Sequence, residues 1–181
     1  MKKLQIISVA LFCAISLMSC NKEEVDPWAG SYTYKTSGTV ELVPVNYTEL
    51  DEETLEKYHE LGINTDPQPY ILDAEQGQMH IIKDGDNKYL VTFDDLFGNV
   101  STAVATVSGD ALTIGDGATK IVRATRSTLI TANGEVAYKG TGRTLEETLI
   151  FEMQYNGNLN ALGVDMLMTD SAVTCVARKN K

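Results

Sequence analysis

The sequence predicts an all-β domain whose antiparallel strands close into an up-and-down barrel, with one short helix inserted after the first strands. Short runs of alternating apolar and polar residues recur along the chain. Gly-, Asn- and Asp-containing turns separate them, and the runs follow one another as hairpins rather than through long crossovers. A β-sandwich is the alternative architecture, but the chain lacks the Cys-Trp-Cys spacing that marks many sandwiches of this size.

The first segment is an address rather than part of the fold. Met1-Lys2-Lys3 precedes an apolar run from Leu4 to Met18 that ends in Leu17-Met18-Ser19-Cys20. A charged start, an apolar stretch too short to span and stay, and a small residue before a cysteine are the parts of a cleaved export signal. The pattern resembles the lipobox of bacterial lipoproteins. That resemblance implies a signal peptide over residues 1–19 and a lipid-modified Cys20 that anchors the mature chain in membrane lipid. The following Asn21-Lys22-Glu23-Glu24 resembles the surface-export signal of Bacteroidetes lipoproteins, which implies the outer membrane and its cell-surface side. Residues 20–27 then read as the lipidated cysteine and a polar tether closing at Asp26-Pro27, with the folded domain over 28–181.

Within that domain Tyr32 and Tyr34 alternate with Ser31, Thr33 and Lys35, the period of a strand with one buried face, and Val40 and Leu42 continue it. Thr48 to Leu61 is the helix: Leu50, Leu55, Tyr58 and Leu61 fall near helical spacing, Asp51, Glu52 and Glu53 crowd its start, and Gly62 stops it. Asp66-Pro67-Gln68-Pro69 is loop. Gln78–Lys83 and Lys88–Asp94 flank Asp84-Gly85-Asp86-Asn87 as a hairpin. Further strands are expected at Val100–Val107, Ala111–Ile114, Thr119–Ala124, Ser127–Thr131, Glu135–Tyr138, Leu145–Tyr155, Leu162–Met168 and Ala172–Arg178. Gly115-Asp116-Gly117 reads as one more hairpin turn, and Asn133-Gly134 as a two-residue one.

Trp28-Ala29-Gly30-Ser31-Tyr32, the strand pair His80-Ile81-Ile82-Lys83 and Tyr89-Leu90-Val91-Thr92-Phe93, and the apolar strand pattern to the C-terminus give this arrangement a likeness. It resembles the lipocalin-like, or calycin-like, barrels of Bacteroidetes lipoproteins, although true lipocalins carry Gly before the Trp. The resemblance implies a binding barrel. Packing alone also favours an opening Trp that fills one end of a barrel.

The composition narrows the function further. Loss of residues 1–19 removes Lys2 and Lys3, so the formal charge moves from −10 for the whole chain to −12 over the remaining 162 residues. So acidic a body lacks the positive patch that nucleic acid requires. Of the three cysteines, Cys13 lies in the signal and Cys20 carries the lipid, which leaves Cys175 as a small buried hydrophobe in an apolar strand. His59 and His80, the two histidines, sit among unrelated neighbours, and no Gly-x-Ser-x-Gly elbow frames a serine. The reading is therefore non-enzymatic. No cofactor motif stands out, and metal-ligand spacing is missing: Asp84-Gly85-Asp86-Asn87 lacks the closing glutamate of a calcium loop.

Binding remains. A barrel interior lined by Tyr34, Leu42, Ile81, Val91, Phe93, Leu149, Phe151 and Met166 is the expected cavity for a small apolar ligand, with Leu50, Leu55, Tyr58 and Leu61 of the helix as a lid over its mouth. The alternative is a glycan-binding or structural accessory subunit of a surface uptake complex. Tyr47, Tyr70 and Tyr155, placed near predicted strand ends, would then stack on sugars, and the Asp94-Asp95 pair would bind a cation or a sugar hydroxyl. Asp170-Ser171-Ala172 resembles the three-residue O-glycosylation acceptor of Bacteroidetes, which would make Ser171 the modified residue.

Overall fold

The computed structural model describes residues 26–181; Cys20 and Asn21–Glu24 lie outside the described residues, as does most of the expected tether. Nine antiparallel strands form one closed sheet. They are β1 (Gly30–Pro44), β2 (Gln68–Leu72), β3 (Gln76–Lys83), β4 (Lys88–Asp95), β5 (Val100–Ser108), β6 (Ala111–Thr125), β7 (Thr131–Leu145), β8 (Thr148–Ala161) and β9 (Val164–Lys179), and α1 (Glu52–Glu60) is inserted between β1 and β2. The first and last strands pair from Tyr32↔Lys179 to Pro44↔Met166, which closes the barrel. Nearly every strand alternates buried and exposed residues, as a wall with an apolar inner face requires.

The ring has two sizes. The start of β1 pairs with β3, and β3, β4, β5 and β6 follow in order, so eight strands encircle the interior at that level. Further along β1, Thr39–Leu42 pair with β2, and β2 passes directly to β6 through Ile71↔Thr125 and Leu72↔Ala124. There β2 replaces β3, β4 and β5, and six strands close the ring. β5 pairs with β6 only from Ala105↔Ile114 to Ser108↔Ala111, so the wall parts between Val100–Val104 and Gly115–Ile121.

The eight-stranded end is sealed by Trp28, 4% exposed, and by a hub of bonds around Asp26. One Asp26 carboxylate oxygen accepts from the N–H groups of Trp28 at 2.9 Å and Ala29 at 3.1 Å, and the other accepts from the Tyr89 hydroxyl at 2.8 Å. The Tyr32 hydroxyl donates to the Trp28 carbonyl at 2.7 Å. Burial pushes the Asp26 carboxyl up, but these donors and the Lys83 charge outweigh it and hold it below the ordinary carboxylate range. Asp26, expected in the tether, thus already belongs to the barrel. The closed sheet and its core lie within Asp26–Lys181, as a unit that folds by itself requires.

α1 begins at Glu52, four residues after the expected start at Thr48, because the Asp51 side chain caps it by accepting from Thr54 N–H at 2.8 Å; Glu52 and Glu53 occupy the first turn as expected, and Gly62 follows the helix at φ +72°. The Asp84–Asn87 hairpin is as read, with Asn87 at φ +58°. Other turns differ from the reading. Asn133-Gly134 is not a turn but lies inside β7, paired with Arg123 and Val122. Gly134 serves there to let β8 approach, because a Cβ would stand 2.6 Å from the Asn158 carbonyl oxygen. The chain reverses instead at Arg126–Ile130, where Arg126 N–H donates to the Ile130 carbonyl at 3.1 Å. The two-residue hairpin with both φ values positive is Leu162-Gly163, at +54° and +82°. Gly115-Asp116-Gly117 is a bulge within β6, and the expected pairs of short strands over 111–124 and 162–178 are single long strands, β6 and β9. Leu145, expected to open a strand, ends β7.

Candidate functional site

The parted wall leads to a polar chamber inside the barrel. Its centre is Lys120, whose side chain is 4% exposed although it lies on β6 among the inward residues Ala118, Val122 and Ala124. Lys120 Nζ sits 4.7 Å from the centroid of the Phe93 ring, 5.3 Å from Tyr138, and 5.9 Å from both Tyr34 and Tyr155. The four rings meet edge to face, with centroids 5.2 Å apart for Tyr34–Phe93, 5.9 Å for Phe93–Tyr138 and 6.5 Å for Tyr138–Tyr155. Their negative faces offset part of the cost of removing an ammonium from water.

The countercharge comes from the connection between β2 and β3. Glu75 is held by its backbone: its N–H donates to Thr36 Oγ1 at 3.1 Å, and its carbonyl accepts from Thr36 N–H at 2.8 Å. Its side chain turns inward, accepts from the Tyr34 hydroxyl on Oε1, and brings Oε2 to 2.8 Å from Lys120 Nζ. That approach is an ion pair without hydrogen-bond geometry, so the ammonium donors lack an acceptor, and so does the buried Tyr155 hydroxyl. Burial first, then the Glu75 charge, pushes the Tyr155 phenol well above its ordinary value; burial, the bond to Glu75 and that same charge do so for Tyr34. Cys175, fully buried, is pushed up to about 12 by burial; Lys120 opposes the shift and Glu75 adds to it.

Two adjoining clefts connect this chamber with solvent. One of about 380 Å³ runs between β5 and β6 and reaches Phe93, Glu75 and Lys120. Ser101 bridges it, bonding the Thr119 carbonyl at 2.5 Å and the Tyr138 hydroxyl at 2.8 Å. The other, of about 730 Å³, lies between the end of β2, the β4–β5 turn and β6, and shares Glu75, Asp95, Asn99 and Ile121 with the first. Apolar side chains stand unusually exposed around the two: Phe97 at 86%, Ile71 at 67%, Val100 at 65% and Ile121 at 56%. Both volumes fall in the range of small-molecule sites.

The eight residues expected to line a cavity are all buried inside the barrel. Only Phe93 among them lines the cleft, with Tyr34 packed on its ring. Leu42, Ile81, Val91, Leu149, Phe151 and Met166 belong to the apolar core. Of the expected lid, only Tyr58 packs on the core; Leu55 and Leu61 are exposed, and Leu50 is half-exposed. Ile63, just past the helix, supplies the buried contact at 2% exposure. The lid expectation put the helix contact on a four-residue face, whereas the chain makes it at Tyr58 and Ile63.

Of the tyrosines expected to stack on sugars, Tyr47 is exposed, while Tyr70 and Tyr155 are interior at 1% and 5%. Asp94 faces solvent. Asp95 turns in to hold the β4–β5 turn, accepting from Phe97 N–H and Asn99 N–H at 2.8 Å and from Asn99 Nδ2 at 2.7 Å. Ser171 is half-buried in β9, where its hydroxyl accepts from Tyr155 N–H at 2.8 Å. His80 bonds Ser31 at 3.0 Å on the exposed face. Among the described residues no three His, Cys, Asp or Glu side chains converge as metal ligands do.

Sequence reasoning missed both charged members of the chamber. Lys120 left a signal, a cation on the inward parity of an apolar strand. Glu75 left none, because a glutamate in a connecting loop is ordinarily solvated. No protein-family model matches the chain, and no curated protein matches it.

Proposed function

We propose that the protein is a non-catalytic binding domain, held at the outer membrane by lipid on Cys20, that takes a small amphipathic molecule through the parted wall between β2, the β4–β5 turn, β5 and β6. One observation carries this reading: an apolar rim of Phe97, Ile71, Val100 and Ile121 stands exposed to solvent immediately outside a cleft whose floor is polar and buried. Leaving such side chains in water is unfavourable by about 25 cal/mol per Å² of apolar surface, a cost that a bound apolar chain removes. The barrel supplies a rigid wall for such a site, and the strand gap supplies access without melting the sheet. The lipid anchor rests on the Leu17–Cys20 pattern and the surface location on Asn21–Glu24.

The binding test uses the Asp26–Lys181 segment and the neutral dye N-phenyl-1-naphthylamine, whose fluorescence rises in apolar surroundings. Saturable enhancement is expected, and Ile121→Glu, which sets a charge in the cleft wall, abolishes it; a wild-type protein that leaves the dye dark overturns the reading. The address is tested separately: Cys20→Ala moves the chain out of the membrane fraction, and retention there removes the anchor.

A further inference from the structure

The geometry points to a single carboxylate as the polar group of the ligand, received by Lys120, with Glu75 as a resident carboxylate that holds the place until the ligand arrives; this rests on the binding reading above. The chamber contains a buried donor group with unmet demand that borders the first cleft, the Lys120 ammonium; the Tyr155 hydroxyl, also without a partner, lies behind it and lines neither cleft. Buried donors without acceptors are costly, and proteins keep few of them. An oxygen acceptor that entered by the first cleft would satisfy the ammonium. Glu75 does not fill that role: one of its oxygens is taken by the Tyr34 hydroxyl, and the other approaches Lys120 without forming a hydrogen bond.

Charge argues for one carboxylate rather than a phosphate or sulfate dianion. The chamber offers a single ammonium, ringed by four aromatic side chains and paired with Glu75; Asp95 and Glu135 also line the first cleft, but the β4–β5 turn engages the one and Thr119 the other. A second negative charge would have nothing to neutralise it in so apolar a setting. Access is consistent with exchange. Glu75 lines both clefts and its backbone is fixed to Thr36, so its side chain, on giving up the Tyr34 and Lys120 contacts, can rotate into the cleft and leave the ammonium to the incoming acid. The apolar body of that acid would then lie toward Ile121 and Phe97.

The test compares decanoate with decan-1-ol as displacers of N-phenyl-1-naphthylamine from the Asp26–Lys181 segment. The two share an apolar body and differ in the head. Decanoate is expected to displace the dye at lower concentration than the alcohol. Glu75→Gln, which keeps an acceptor for Tyr34 but removes the competing charge, raises the acid-to-alcohol ratio by about tenfold, the scale of one charge-assisted hydrogen bond. In the Lys120→Met, Glu75→Gln double variant, chosen because it leaves no unpaired buried charge, the preference for the acid disappears. If acid and alcohol displace the dye equally and the ratio is unmoved in both variants, the carboxylate inference is overturned while the cleft reading stands. If the dye does not bind at all, the cleft reading falls and this inference with it.

Discussion

Two regions of the barrel use the same three functional groups, a carboxylate, a phenol and an ammonium, to opposite ends. At the eight-stranded end Asp26, Tyr89 and Lys83 come together; in the chamber Glu75, Tyr34 and Lys120 do. Around Asp26 the accounting closes: two backbone N–H groups and a phenol meet the carboxylate, and Lys83 stands 3.9 Å away with its side chain 56% exposed. In the chamber the lysine is buried and its donors, with that of Tyr155, go without acceptors. A satisfied cluster at a barrel rim stabilises, and an unsatisfied one in the interior is kept at a cost that a ligand can relieve.

The sharpest way to break this comparison is to remove one charge from each cluster. Glu75→Ala leaves Lys120 buried and unpaired, for which we expect a loss of about 3–5 kcal/mol in urea unfolding, with Lys120→Met in the same chain restoring most of it. If Glu75→Ala unfolds at the wild-type urea midpoint, the pair has no hold on the fold. Asp26→Ala strands three donors near the surface and should cost about 1–3 kcal/mol, which no lysine substitution relieves.

Acid and alkali separate the regions next. Because the Asp26 carboxyl is held below its unfolded value, its contribution is present above the unfolded pKa and fades as pH falls through the folded one, so Asp26→Asn should flatten the acid limb of the stability curve. Cys175 is raised from 9.0 to about 12, so its contribution is full below pH 9 and fades as pH climbs toward 12. A thiol reagent should accordingly leave native Cys175 untouched at pH 8 and label it on unfolding; rapid labelling of folded protein would mean that the chamber is wet. The smallest effect is at the helix, where Leu55→Asp should shift stability by no more than about 0.5 kcal/mol, since Leu55 is 37% exposed. A large loss there would restore the lid.

Much of the wall was legible because period two reports one buried face, which is why all eight expected interior residues point inward. Strand ends were less legible. β6 carries a glycine-rich bulge in mid-strand that looks like a turn, and Asn133-Gly134 has a hairpin's composition but answers a steric demand made by β8, a partner far away in sequence. The site was half legible for the same reason. Tyr34 and Phe93 show their orientation in their own strands, whereas the inward turn of Glu75 depends on Thr36, which lies 39 residues earlier.

The pairing of β1 with β9 also sets how the chain must fold. Tyr32 meets Lys179 across nearly the whole domain, so the final closure brings together its two most distant segments, and β1 and β9 each keep an open edge until it happens. Topologies ruled by such distant pairings fold on the order of milliseconds to seconds rather than microseconds. Deleting the last strand would therefore not trim the barrel by one stave. It would leave two raw edges facing each other across a gap, each ready to pair with another chain.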